Sequence, residues 1–134
     1  MTSRRGTLIE DGAREILRMH GYSVVVVPPG FNKKNPPAHL VASRPSGETR
    51  FIRIRKFSKL PSTVDMVMQK CGLDLVQFRK HIARHAREVG LHYEIWIYSV
   101  SYGFRCFEVL RDSIREIPKL SLHGPGVSRA GGVA

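Results

Sequence analysis

Cysteine is scarce in this chain: 134 residues carry only Cys71 and Cys106. Two thiols cannot build a disulfide framework, and no Cys-x-x-Cys or Cys/His cluster offers four zinc ligands at usable spacing, so buried free thiols are expected, with no metal and no cofactor. Long apolar runs are missing as well. The stretch Val24 to Val27 falls far short of the ~20 residues a membrane span needs, and no apolar segment follows the basic N-terminus as in a secretory signal. A cytoplasmic protein with no membrane partner is the expectation. Acidic residues are the third shortage, eleven against twenty-two Lys and Arg, which leaves a formal net charge of +11. Such an excess favours a polyanionic partner, because neutralising phosphates releases condensed counterions and the arginine fork matches phosphate oxygens bidentately.

What remains is ordinary for a folded domain. Hydrophobic residues make up 42% and charged residues 25%, which argues against a disordered, collagen-like or coiled-coil chain. The length suits one domain that buries roughly two-thirds of its unfolded surface. We expect that domain over residues 1–118, with the Gly-rich stretch 119–134 as a flexible tail.

Leu8, Ile9, Gly12, Ala13, Ile16 and Leu17 recur at helical spacing, and the helix they predict stops at His20-Gly21. Tyr22 to Val27 reads as a strand buried on both faces, closed by Pro28-Pro29-Gly30. Residues 28–37 are too proline-rich for regular structure and form a loop carrying Lys33 and Lys34. Ala38 to Ser43 and Phe51 to Phe57 read as a hairpin across a Pro-Ser-Gly turn. A helical pattern starts at Ser62 or Thr63, falters at Cys71-Gly72, and restarts behind Asp74 as N-cap with Gln77 three residues on, ending at Gly90. Tyr93 to Val100 is a central strand, Phe104 to Leu110 its partner, and Arg111 to Ile117 a short helix. The expected class is α/β (α+β): a mixed sheet of about five strands flanked by helices, in the order α-β-β-β-α-β-β.

Gly6, Glu10, Ala13, Leu17, Gly21-Tyr22 and Val24, the segment Pro37 to Ala42 (PAHLVA) and the segment Phe51 to Lys56 (FIRIRK) together give the chain a resemblance to the Holliday-junction-resolvase-like branch of the PD-(D/E)XK, or restriction-endonuclease-like, superfamily. The resemblance spans about residues 4–110. It implies a first-helix glutamate, an Asp on the hairpin, and a Glu-x-Lys about a dozen residues further on. This chain departs from that set: His39 stands at the Asp position, Arg53 at the Glu position and Arg55 at the Lys position, which leaves only Glu10. Guanidinium groups cannot ligate Mg²⁺, which needs hard oxygen donors, so metal-dependent cleavage is not expected and no catalytic residue is assigned.

Period-two geometry puts Phe51, Arg53, Arg55 and Phe57 on one strand face. From Arg44 to Lys59, six cations (Arg44, Arg50, Arg53, Arg55, Lys56, Lys59) accompany one anion, Glu48. With Lys33, Lys34, Arg79, Lys80, Arg84 and Arg87 they form the expected groove for a phosphate backbone, duplex or branched DNA being the partner. Blander readings stand beside each residue. Glu10 closes a capping box with Thr7 or balances Arg14; His39 is a hydrogen-bonded strand histidine; Arg53 and Arg55 pair with Glu10, Glu48, Glu94 or Glu108. His81 and His85 line a solvated helix face, and Tyr93, Trp96 and Tyr98 belong to the core. Two other functions stay open: a scaffold or inactive subunit docking to another protein or a second copy, and a phosphodiesterase, metal-free through His39 or weakly metal-dependent through Glu10 and Glu48.

Overall fold

A computed structural model describes residues 2–28, 38–59 and 61–118 of the chain, with side chains from residue 8 onward. Lys33, Lys34 and the stretch 119–134 lie outside the described residues. Helix α1 (Thr2–Met19) opens the chain. It ends in a Schellman motif: Tyr22 N–H donates to Leu17 C=O and Gly21 N–H to Arg18 C=O, both at 3.0 Å, with Gly21 at φ +90°. Because α1 runs back to Thr2, Thr7 is a mid-helix residue, and the capping box with Glu10 is not formed.

Six strands follow in spatial order: β1 (Ser23–Val26), β2 (Leu40–Ser43), β3 (Thr49–Lys56), β4 (Leu91–Ser99), β5 (Gly103–Val109) and β6 (Ile114–Ile117). All neighbours are antiparallel except β3 and β4, which pair in parallel from Thr49↔Leu91 to Lys56↔Tyr98. A parallel pair needs a crossover, and helices α2 (Val64–Lys70) and α3 (Gly72–Arg84) supply it. Thr63 caps α2 by accepting from Met66 N–H.

The sheet carries a core on each face. Ala13 and Leu17 of α1 pack on Leu40, Ala42, Ile52, Ile54, Trp96, Phe104 and Cys106. Val67 of α2, Cys71 between the two helices, and Leu75 and Phe78 of α3 pack on Tyr93, Ile95, Ile97, Phe107, Val109 and Ile114. The second core takes no residue from β1 or β2, so none of the described helices covers that side of the two strands. Strand β1 is therefore half-open rather than buried on both faces, with Val25 63% exposed. Residues 114–117 form an edge strand, not a helix, because Ile114 and Ile117 fill the two cores from opposite faces of β6.

On the α1 face a polar network crosses the sheet. Arg50 donates through Nε to the Tyr22 hydroxyl at 2.6 Å, Tyr22 donates to Glu48 at 2.7 Å, and the Arg50 guanidinium also holds Glu94. Trp96 Nε1 adds a hydrogen bond to Glu94 at 2.9 Å. Burial pushes the Glu94 carboxyl up, against the pull of Arg50 and the indole N–H. Glu108, bonded by His92 Nδ1 at 2.9 Å and Arg115 Nη2 at 2.8 Å, is instead held down at about 2, chiefly by the His92 bond. Removing one partner of a buried ion pair leaves the other uncompensated. Arg50→Met should therefore lose about 3–5 kcal/mol of stability, read as a lower urea midpoint at unchanged slope; a loss below ~1 kcal/mol would mean the Glu94 charge has other sufficient partners.

Candidate nucleic-acid interface

The alternation of β3 sends Ile52 and Ile54 to α1 and Phe51, Arg53 and Arg55 to the α2–α3 side. There both guanidiniums meet a carboxylate from α3. Arg55 grips Asp74 bidentately, Nε to Oδ2 at 2.7 Å and Nη2 to Oδ1 at 2.8 Å, and Arg53 Nε lies 3.4 Å from Oδ1. The Asp74 side chain is 1% exposed, whereas Arg53 and Arg55 keep 26% and 35%. Hydrogen bonding to Asp74 raises the Arg55 pKa, and burial pushes that of Arg53 down against the pull of the same carboxylate.

Asp74 is the residue that sequence reasoning missed. It is neither an N-cap nor among the four carboxylates considered for Arg53 and Arg55; it sits on the third residue of α3 with its side chain turned inward. A signal was present in its position on the buried stripe with Cys71, Leu75 and Phe78, where a carboxylate must find a cation.

His39 stands just before β2 and has a backbone task. Its N–H donates to Ile52 C=O at 2.8 Å, and its Nδ1 accepts from Ile54 N–H at 2.8 Å, where the antiparallel ladder would otherwise offer a carbonyl. An N–H can only donate, so Nδ1 is unprotonated and the neutral ring carries its proton on Nε2. Burial, with Arg53 and Arg55 adding repulsion, lowers the His39 pKa to about 4. The ring is thus a neutral hydrogen-bond donor at pH 7 and cannot accept a proton through Nε2.

The other expected cations divide. Arg50 is turned inward onto Glu94 and Glu48, and is not a groove residue. Arg44 lies over the Tyr22 ring and donates to His20 C=O at 2.7 Å, while Arg79 straps α3 to Leu110 C=O and Ser113 C=O at 3.0 and 3.1 Å. Lys56, Lys59, Lys80, Arg84 and Arg87 are exposed. They do not form one continuous groove. Lys56 ends β3 and Lys59 lies just beyond it, whereas Arg84 and Arg87 precede β4, whose start pairs with Thr49, roughly 23 Å from Lys56 along the strand. Glu10 is not brought into the cluster by any charge contact: Asp11 and Arg14 of its own helix are the charged groups that bear on it, and burial raises its pKa.

Among the described residues no three His, Cys, Asp or Glu side chains converge as a metal site. The His39, Arg53, Arg55 and Asp74 cluster offers oriented donors with two guanidiniums against one carboxylate, which suits an anion.

The α1 helix on one side of a mixed sheet, the β2–β3 hairpin and the α2–α3 crossover into parallel β4 define a restriction-endonuclease-like fold of the Holliday-junction-resolvase-like kind. The particular likeness is to the Holliday junction resolvase Hjc of the archaeal hyperthermophile Archaeoglobus fulgidus, with TM-score 0.51, 18% sequence identity, 87% of this chain covered and 90% of that one. No protein-family model matches the sequence, and no curated protein matches it. No helix among the described residues is long and apolar enough to cross a membrane.

The lowered His39 pKa carries a pH signature. Unfolded, the ring titrates near 6.5; folded, near 4. Between those values the unfolded chain binds the extra proton, so this contribution is complete above about pH 6.5 and is lost as pH falls toward about 4. Urea unfolding at stepped pH should show wild type losing stability across that window. His39→Asn, which can place Oδ1 where Nδ1 accepts, should give a flatter profile; parallel profiles would remove His39 as the titrating group.

Proposed function

We propose that this protein is a non-catalytic nucleic-acid-binding domain of nuclease-like ancestry that holds the phosphate backbone of duplex or branched DNA on Arg53 and Arg55. The observation that carries this is the Asp74-oriented pair of guanidiniums on the β3 face where the sequence resemblance puts Glu-x-Lys. A carboxylate behind Arg55 fixes the fork before the ligand arrives, which reduces the side-chain freedom lost on binding, and the second guanidinium leaves the cluster net positive. Lys56 and Lys59 add exposed charge at the end of β3, Lys56 from the opposite face of the strand. A neutral His39 with a proton on Nε2 can donate to a phosphate oxygen but is a poor general base, and Asp74 is engaged by arginine rather than available to a metal. Buried thiols that form no disulfide, Cys71 and Cys106, fit a reducing compartment such as the cytoplasm.

The outer edge of the sheet supports a second reading. Val25 and Val26 of β1 are exposed on an edge strand, a surface that suits docking to another protein or a second copy.

Affinity for a DNA duplex and a four-way junction, measured across salt concentrations, distinguishes the two. Each phosphate contact adds about 0.9 to the slope of log affinity against log salt, so Arg53→Ala with Arg55→Ala should weaken binding and flatten the slope by about two units. Unchanged affinity and slope would favour docking. Incubation of labelled junction, duplex and RNA with Mg²⁺ or Mn²⁺, and with chelator, should leave every substrate intact; cleavage abolished by His39→Ala would overturn the non-catalytic reading.

A further inference from the structure

A run of rings lies on the same face of β3, one position beyond Arg53. Phe51 stacks on Tyr93 with centroids 5.3 Å apart and planes 14° from parallel. His81 of α3 tilts against Phe51 at 5.7 Å and bonds the Tyr93 hydroxyl through Nδ1 at 2.9 Å. His85, one turn further on, stacks on His81 at 4.2 Å, with planes 27° apart. Phe78 braces Tyr93 from the core at 5.6 Å. Tyr93 is buried, but Phe51 and His81 are only half-buried and the His85 side chain keeps 35% of its exposure.

Among the described residues no helix covers the ground beside this ladder. Val41 pairs with Phe51 across the hairpin and Val25 with Val41, and neither valine joins the core beneath α2 and α3. Cations outnumber anions around the ladder: Arg53 is two residues from Phe51 on one face of one strand, about 7 Å away, and Lys80, Arg84 and Arg87 are exposed on or just after α3, against the one carboxylate of Glu88, which bonds His85 Nδ1 at 2.5 Å. Aromatic faces interleaved with cations are what a nucleotide strand needs, since each unit offers one flat base and one phosphate.

We propose that Phe51, His81 and His85 form a stacking platform for an unpaired base, so that the preferred ligand contains a single-stranded segment whose adjoining phosphate lies on Arg53. This rests on the phosphate-binding reading above and narrows it. Bases inside a duplex have both faces occupied by their neighbours and cannot use the platform; bases in a gap, a loop or a single strand can. Stacking engages the π-face that all bases share, so selectivity is for unpaired structure rather than for sequence.

The test titrates the protein into a single-stranded oligonucleotide carrying 2-aminopurine and, separately, into a blunt duplex of the same length. Binding should quench the 2-aminopurine emission and favour the single strand. His85→Ala, a change at a partly exposed side chain, and Phe51→Leu, which keeps an apolar group against Tyr93, should each lower single-strand affinity, Phe51→Leu by about tenfold, with duplex affinity held within about twofold. Equal affinity for both probes with no quenching, or equal loss on both in the two variants, would overturn the platform while leaving phosphate binding in place. Failure of the wild-type protein to bind either probe would overturn both readings together.

Discussion

A charge removed from water on a sheet face must bring its counter-charge from a neighbouring element, and that constraint organises this molecule. Three carboxylates are buried among the described residues, Asp74, Glu94 and Glu108, and each is met by cations from other strands or from across a helix–strand contact. The pairings tie β3 to α3, β3 to β4, and β5 to β6. Several arginines of a strongly basic chain are therefore structural: Arg50 lies in the interior, and Arg44 and Arg79 hold backbone carbonyls at helix and strand ends. Net charge read from composition overstates the charge available to a ligand, and the surplus at Arg53 and Arg55 is meaningful because it survives after Asp74 has been subtracted.

The fold was largely legible in the sequence. Periodicity located α1, the β2–β3 hairpin and the central β4, and Gly21 marked the end of α1 correctly because only a left-handed residue completes that Schellman turn. Periodicity failed where an element is defined by its partners rather than by its own pattern. Ser113 to Pro118 is too short to show strand alternation, so Arg111 to Ile117 reads as a helix by itself, whereas pairing with β5 makes residues 114–117 the strand β6. Tyr22 to Val27 reads as an interior strand, yet β1 sits at the edge of the described sheet and the described helices cover it on one side alone.

The site was legible by position and opaque by partner. Alternation along Phe51 to Phe57 correctly set Arg53 and Arg55 on one face. Nothing local could bring Asp74 to them, since that contact crosses nineteen residues of chain and depends on how α3 lies on the sheet. The dispersal of the remaining cations followed from the same long-range geometry: β3 and the start of β4 are neighbours in space at Thr49, which carries Arg84 and Arg87 away from Lys56.

The His39 ring constrains what could replace it. It fills a gap in backbone pairing while standing in the field of two guanidiniums that are themselves anchored. An aspartate arriving alone at position 39 would meet arginine before it met any dication, and would close a salt link instead of opening a chelating centre. A carboxylate cage at this corner would need exchanges at 39, 53 and 55 together, because each side chain there is held by the charge or the backbone group beside it.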